Sequence, residues 1–569
     1  MCILAKEAHM PEGKHSYLYY FLFIILIVSG IAGGGYFCCV SAVLLIVLMI
    51  MAVCLLIRSG EFWISFDWNL AAVVTLTLGY FLAGLWAVDS GMSLMGGIKF
   101  LPVLIFFFVM CQVLEQRERL IQSLPVMGSL MTVFSFALMQ FPAFSEYVSV
   151  AGRLAGFFQY PNTYALFMLV CLLVSVYRMS IKKTDWMIAI HVLIALTGIY
   201  LSGSRTVMVM TIVVFFMLLI LKKELRKYSI LCVGGFVILA AVLAFGGYGK
   251  GIYDRLLSMG GNASTFWGRL LYDRDAIKMI VTHPFGMGYY GYYFVQQEMQ
   301  TGVYSVVSVH NEFLQIMLDI GIVPALLIYG AVIRSLLSEN TSERDRVILA
   351  VMLLHSLFDY DFQFLMMCFV LLLFLDIRNV KKIQISILTK IAAGLSMIVI
   401  AVLSVIAGAS DCFYIKGEPE QAIRFYGGNT MAKIELLNMS EGPEEMEKRA
   451  DSILEGNSHV SVAYSAKARA AFSQGDVEAF VRYKLTAIRL APYQYEEYVD
   501  YLNSLAYCAE LYKQANDMDS ARFCAERAAE IPHMLENVKE GTSRLGWKIN
   551  DQPEVTLSRE DLKLIEEMR

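Results

Sequence analysis

Up to about residue 410 the apolar residues come in runs of roughly twenty, each long enough to cross about 30 Å of hydrocarbon as a helix, and short polar loops separate them. The pattern predicts thirteen spans, at 17–33, 36–57, 69–88, 96–114, 123–142, 161–180, 185–202, 204–221, 228–246, 310–336, 345–360, 362–377 and 387–409. The pair 345–360 and 362–377 is short and also fits one broken helix; losing one span would move everything after it to the other side. The run Tyr17 to Ile31, behind Lys6 and Lys14, imitates a signal peptide. The next run follows at once, so both are expected as retained spans. From about residue 416 the chain turns rich in Glu, Lys, Arg and Ala, as a water-soluble helical domain should be. The fold class expected is all-α: a polytopic membrane bundle (1–410), then a soluble helical repeat domain (413–569).

Loop charge orients the bundle. Arg58; Arg117 and Arg119; Arg178, Lys182 and Lys183; Lys222, Lys223, Arg226 and Lys227; Arg334, Arg344 and Arg346; and Arg378, Lys381 and Lys382 fall in alternate loops. With thirteen spans all six groups share one side, the cytoplasmic side by the positive-inside bias. The N-terminus is then cytoplasmic and the C-terminal domain extracytoplasmic. Exceptions on the opposite face are Lys99, Arg153, Arg205 and a group in the long loop 247–309: Lys250, Arg255, Arg269, Arg274 and Lys278. Basic residues placed against the bias suit an anionic ligand; the plainer alternative is that a long loop tolerates charge.

Composition narrows the classes. Only 17% of the 569 residues are charged and the net charge is −4, which argues against a nucleic-acid partner. The eleven cysteines include no CxxC pair, so neither a zinc site nor a redox motif is supported. Intramembrane charge is sparse, against an ion-driven pump.

Three segments on the poorly basic face carry candidate chemistry. The first runs from Gly152-Arg153 through Gly156-Phe157 to Pro161-Asn162. The second is the turn Ser202-Gly203-Ser204-Arg205. The third runs from Gly268-Arg269 through His283-Pro284-Phe285-Gly286-Met287-Gly288 to His310-Asn311-Glu312. Arginine offers a planar fork for phosphate oxygens. A helix start offers free N–H groups, and histidine can move a proton near neutral pH. Plainer readings stand beside these: Gly286 and Gly288 as turn formers, Asn162 and His310 as helix caps. Asp359 and Asp361 form a DxD pair that reads either as a metal ligand or as a polar turn at the membrane edge. No metal or cofactor is expected.

The order RxxGFxxxPN, SxSR, Gly-Arg, HPxGxG and HNxxL resembles the O-antigen ligase and polymerase family, bacterial membrane glycosyltransferases of the C-type fold, over about residues 70–376. Many members carry one more residue between His-Pro and the first Gly. The resemblance implies a glycan donor on undecaprenyl diphosphate, and a glycan, lipid or protein acceptor outside the cytoplasmic membrane. It implies catalytic roles for His310, Arg269 and Arg205, and substrate contacts from Arg153, Asn162, Asn311, His283, Gly286 and Gly288. The stretch His355 to Phe362 looks like a late His-and-Asp segment of Gram-positive relatives. The expected reaction is inverting and metal-independent. The alternative reading is a lipid-linked oligosaccharide flippase or polysaccharide exporter.

In the C-terminal domain, Ala468, Ala471, Phe472, Gly475-Asp476, Ala479, Ala487-Ile488, Leu490 and Pro492 resemble a tetratricopeptide repeat, with a degenerate copy through Asp519, Ala521, Ala525, Ala528 and Pro532. A docking surface for a protein partner or for the growing polymer is the functional expectation. Cys508 and Cys524 are open to pairing or to standing as free thiols.

Overall fold

The computed structural model describes residues 16–58, 61–181, 185–245 and 264–569. Lys6, Lys14, Lys182, Lys183, Lys250 and Arg255 lie outside the described residues, as does part of the long loop. Almost every element is a helix, and the apolar runs account for them. Six helices are long and apolar enough to cross a membrane: Cys38–Arg58, Ser90–Cys111, Leu114–Met139, Pro161–Ile181, Lys223–Val242 and Ile387–Ile415. Five shorter apolar helices join them: Tyr17–Ile31, Trp68–Ala83, Trp186–Ser202, Arg205–Leu221 and Ile322–Leu337. Aspartate side chains cap several starts, with Asp67, Asp89 and Asp185 accepting backbone N–H groups that the first turn leaves free.

Helix Pro161–Ile181 is the axis of the bundle, buried on every side from Thr163 to Val176. Helix Ile387–Ile415 lies at the periphery and exposes Leu388, Leu395, Ile398, Val402 and Val405. A surface that apolar belongs against lipid tails rather than water.

One expected span breaks and two others shorten. The run 310–336 is two helices, Glu312–Ile320 and Ile322–Leu337, parted at Gly321. Gly321 has φ +100°, a conformation that side chains disfavour. The strap 284–288 fills the gap: Met287 and Gly288 N–H donate to the Leu318 and Asp319 carbonyls, and Ile322 N–H donates to Pro284. The pair 345–360 and 362–377 becomes helices Glu343–Ser356 and Leu365–Leu372. At about 1.5 Å per residue neither reaches about 30 Å. Between them lies an irregular segment carrying Asp359 and Asp361.

The described residues of the six basic loops in the alternating series gather at one end of the bundle, Arg178 beside Lys222, Glu343 and Arg344. Arg344 pairs with Glu118 at 2.7 Å, Lys222 with Glu343 at 2.6 Å, and Arg117 donates to the Leu375 carbonyl at 2.7 Å. An antiparallel ribbon, Glu61–Ser65 with Val380–Gln384, joins two more of these loops.

The C-terminal helices pack onto the other end. Successive helices include Ser461–Ser473, Val477–Leu490, Tyr495–Gln514 and Met518–Gly541. Buried Ala468, Ala471, Ala487, Ala525 and Ala528 permit close approach, and Asp476 caps the helix after the Gly475 turn. Cys508 and Cys524 are buried free thiols. Tyr426 OH donates to the Gly91 carbonyl at 2.9 Å, and Asn457 Nδ2 donates to buried Asp89 at 3.1 Å. Arg489 and His459 reach Glu298. These helices therefore dock on the bundle rather than hang from it.

Candidate active site

The irregular segment after helix Glu343–Ser356 places Asp359 where the first and third of the sequence segments converge. Its side chain is 1% exposed. Oδ1 accepts from Tyr160 OH at 2.6 Å and faces His310 Nδ1 at 3.2 Å. Oδ2 accepts from Asn162 Nδ2 at 2.7 Å and from the Arg269 guanidinium at 3.3 Å. The Asp359 carbonyl accepts the Glu312 N–H, so the loop and the start of helix Glu312–Ile320 are tied by backbone as well.

Local geometry explains how each partner arrives. Arg153 stands on a two-residue ribbon, Ser149–Val150 with Arg153–Leu154. Its guanidinium spans two elements, donating through Nε to the Ser202 carbonyl at 2.7 Å and through a terminal nitrogen to Asn162 Oδ1 at 2.8 Å. Pro161 opens the axial helix, which puts Asn162 in its first turn, where polar side chains point out of the bundle end. Arg205 opens the next helix, three residues after the Ser202 carbonyl that Arg153 holds. Arg269 sits on helix Ser264–Thr282 of the long loop, and its side chain is 21% exposed. Among the described basic residues of that loop, Arg274 binds Thr301 and Lys278 pairs with Asp275, while Arg269 reaches Asp359. His310, 22% exposed, lies between the rings of Tyr360 and Tyr272, with centroids at 5.1 and 6.1 Å.

Not every candidate joins this cluster. Asn311 caps helix Glu312–Ile320 by accepting the Leu314 N–H at 3.3 Å. The His283 ring contacts Thr282 and the Met279 carbonyl of its own helix end. Gly286 and Gly288 belong to the strap against the Gly321 break; a Cβ on Gly286 would come 2.6 Å from the Asp319 carbonyl oxygen. Lys99 is buried below the site and donates to Tyr289 OH at 3.1 Å and Gln363 Oε1 at 3.3 Å.

Asp359 and Asp361 serve different neighbours. Asp361 is fully buried between His355 Nδ1 at 2.5 Å and Thr163 Oγ1 at 2.8 Å, whereas Asp359 faces Arg269 and His310. The DxD spacing does not aim the two carboxylates at one point. Among the described residues no group of three or more His, Cys, Asp or Glu side chains is placed to hold a metal ion.

The motifs undervalued Asp359 and missed Tyr160, Tyr360 and Asp273. Asp273 follows Arg269 by one helical turn, and one of its oxygens is buried without a hydrogen-bond partner. Burial pushes its carboxyl up to about 6, opposed in part by neighbouring Asn311, His310 and Arg269. The i, i+4 spacing from Arg269 was a usable signal.

The cluster sets one arginine and a histidine on a buried carboxylate, with a second arginine one step away through Asn162. Such a site can hold an anionic group and orient a proton acceptor. No curated protein and no solved structure matches the chain. Residues 190–329 match the family described as O-Antigen ligase, a stretch that carries Arg205, Arg269, His310 and Asn311 and stops short of Arg153, Asn162 and Asp359. It is through this stretch, half of the cluster around Asp359, that the chain is similar to the O-antigen ligase family.

Proposed function

We propose that the chain is a membrane glycosyltransferase of the O-antigen ligase or polymerase type. It takes a glycan from undecaprenyl diphosphate at the outer face of the cytoplasmic membrane, for surface or secreted polysaccharide. The observation that carries this reading is the convergence of Arg269, His310 and the Arg153–Asn162 pair on Asp359. The thirteen-span reading with an extracytoplasmic C-terminal domain belongs to the same proposal. It draws support from the basic loops meeting at the end of the bundle opposite the site.

In the proposed reaction an acceptor hydroxyl attacks the anomeric carbon. The bond from that carbon to the diphosphate oxygen breaks, and the electron pair leaves with undecaprenyl diphosphate. Negative charge grows on the phosphate oxygens, and preorganised guanidinium groups meet it best in a site shielded from water. Arg269 and Arg205 take that role, with Arg153 holding Asn162 and the Ser202 turn in place. Asp359 accepts from His310 Nδ1, which leaves Nε2 to receive the hydroxyl proton. Attack from the face opposite the leaving group inverts the anomeric centre.

The test is transfer by the purified full chain in nanodiscs, given the undecaprenyl-diphosphate-linked glycan that accumulates in cells lacking this gene. Longer lipid-linked products from wild type, lost in His310→Ala, are expected. Movement of that lipid between leaflets without any new glycosidic bond would favour a flippase and overturn the assignment.

A further inference from the structure

The C-terminal helices do more than cover the site: their last arm reaches into it. Ser543 N–H donates to the Thr301 carbonyl at 2.9 Å. Gly302 and Gly546 meet backbone to backbone, so that a Cβ on Gly302 would come 2.7 Å from Gly546 Cα. The Lys548 ammonium lies 4.2 Å from the centre of the Trp267 ring, and Ile549 is buried with Leu271 and Tyr304. Asn550 N–H donates to Ser264 Oγ at 2.9 Å. These contacts clamp the arm along helix Ser264–Thr282, which carries Arg269. As a result Asn550 and Asp551 share one cavity of about 270 Å³ with Arg269, His310, Ser264 and Thr265.

The chemistry of that wall differs from the chemistry of the Arg269 wall. Asp551 makes no ion pair and no side-chain hydrogen bond among the described residues, although Arg269 lines the same cavity. A carboxylate repels phosphate oxygens, so it does not face the diphosphate. Carboxylate and amide oxygens are acceptors for hydroxyl donors, and the amide nitrogen and the Ser264 and Thr265 hydroxyls add donors. The volume lies just below that of most small-molecule sites, roughly 300–1,000 Å³, and suits one sugar ring rather than a chain.

Resting on the donor reading above, we propose that Asn550 and Asp551 form the subsite that reads the sugar joined to the diphosphate. The C-terminal arm is then a specificity element of the transferase. Full-length protein in nanodiscs is titrated with three probes: undecaprenyl diphosphate without sugar, the lipid-linked glycan from cells lacking this gene, and the same glycan released from its lipid. Asn550→Ala/Asp551→Ala should bind the glycan-bearing lipid about tenfold more weakly and the sugar-free lipid as wild type does, raising KM with kcat little changed. Gly546→Val should show the same split, because a Cβ there comes 2.5 Å from the Thr301 carbonyl oxygen and forces the arm away. Equal losses for both lipids, or none, would overturn the proposal. A loss confined to the released glycan would overturn it in favour of an acceptor subsite. Wild type binding neither lipid would instead sink the donor reading, and this subsite with it.

Discussion

The two ends of the helical bundle use charge in opposite ways. At the basic-loop end, Lys222 and Glu343 pair with side chains 38% and 41% exposed, and Lys382 pairs with Glu61 with both side chains about half exposed. At the other end, Asp359 is 1% exposed and gathers Arg269, His310, Asn162 and Tyr160. Water screens the first kind of pair, so each contributes little, about 0–1 kcal/mol. A buried ion pair seldom stabilises more than well-packed apolar groups of the same volume would, so the second arrangement is hard to account for by stability alone. The contrast separates charge paired in water at loop ends from charge gathered in a buried cluster.

The sharpest way to break the comparison is Asp359→Asn set against Glu118→Gln. The first should lower glycan transfer by about 10²–10³-fold, the range seen when one preorganised electrostatic partner is removed. The second should stay within about twofold, and equal effects in the nanodisc assay would erase the distinction. Next comes His355→Ala, which removes the buried partner of Asp361 at the same end of the bundle. Breaking a buried pair costs about 3–5 kcal/mol, so thermal unfolding in detergent should show a large drop, whereas Lys382→Ala, at a pair with both side chains about half exposed, should barely move the midpoint.

Gly91→Val probes the docking of the C-terminal helices. A Cβ at Gly91 would overlap the Gly428 backbone, which cannot swing aside as a side chain can. A cost of about 1–3 kcal/mol is expected, read as faster proteolysis of residues 419–568; unchanged protection would mean that the contact is dispensable.

The smallest effect concerns Asp273. Its carboxyl, raised to about 6 by burial from an ordinary 3.8, binds a proton more tightly in the folded state than in the unfolded one. The stability this supplies is complete below about pH 4 and is lost as pH rises through 6. The expected amplitude is about 1 kcal/mol after allowance for solvent screening. Asp273→Asn should flatten that slope, and an unaltered profile between pH 4 and 6.5 would remove Asp273 from the account.

Much of the site was legible because motif residues are local. Arg153, Asn162, Arg269 and His310 stand next to glycines, prolines and helix starts that announce them, and the structure brings these four together. His283, Gly286 and Gly288 are announced in the same way, yet they build the strap at Gly321. Short motifs report that a backbone is special without saying whether a ligand or another loop needs it so. Asp359 was hardest to value, because its role exists only through partners 49 to 199 residues away in the chain.

The sequence by itself determined that this chain lies in a membrane, since runs of about twenty apolar residues have no other stable home. It also marked, near residue 416, where the composition turns from apolar to rich in Glu, Lys, Arg and Ala. Tertiary structure decided the rest. Gly321 breaks one expected span and the Asp359 segment shortens the two that flank it, because polar groups within the bundle need irregular backbone sheltered by protein. Packing, rather than a count of spans, put the C-terminal helices at the site's end of the molecule, through Asn457 on Asp89 and the Ser543–Asp551 arm on helix Ser264–Thr282. Pairings between residues hundreds of positions apart follow from how surfaces fit, and no local pattern encodes them.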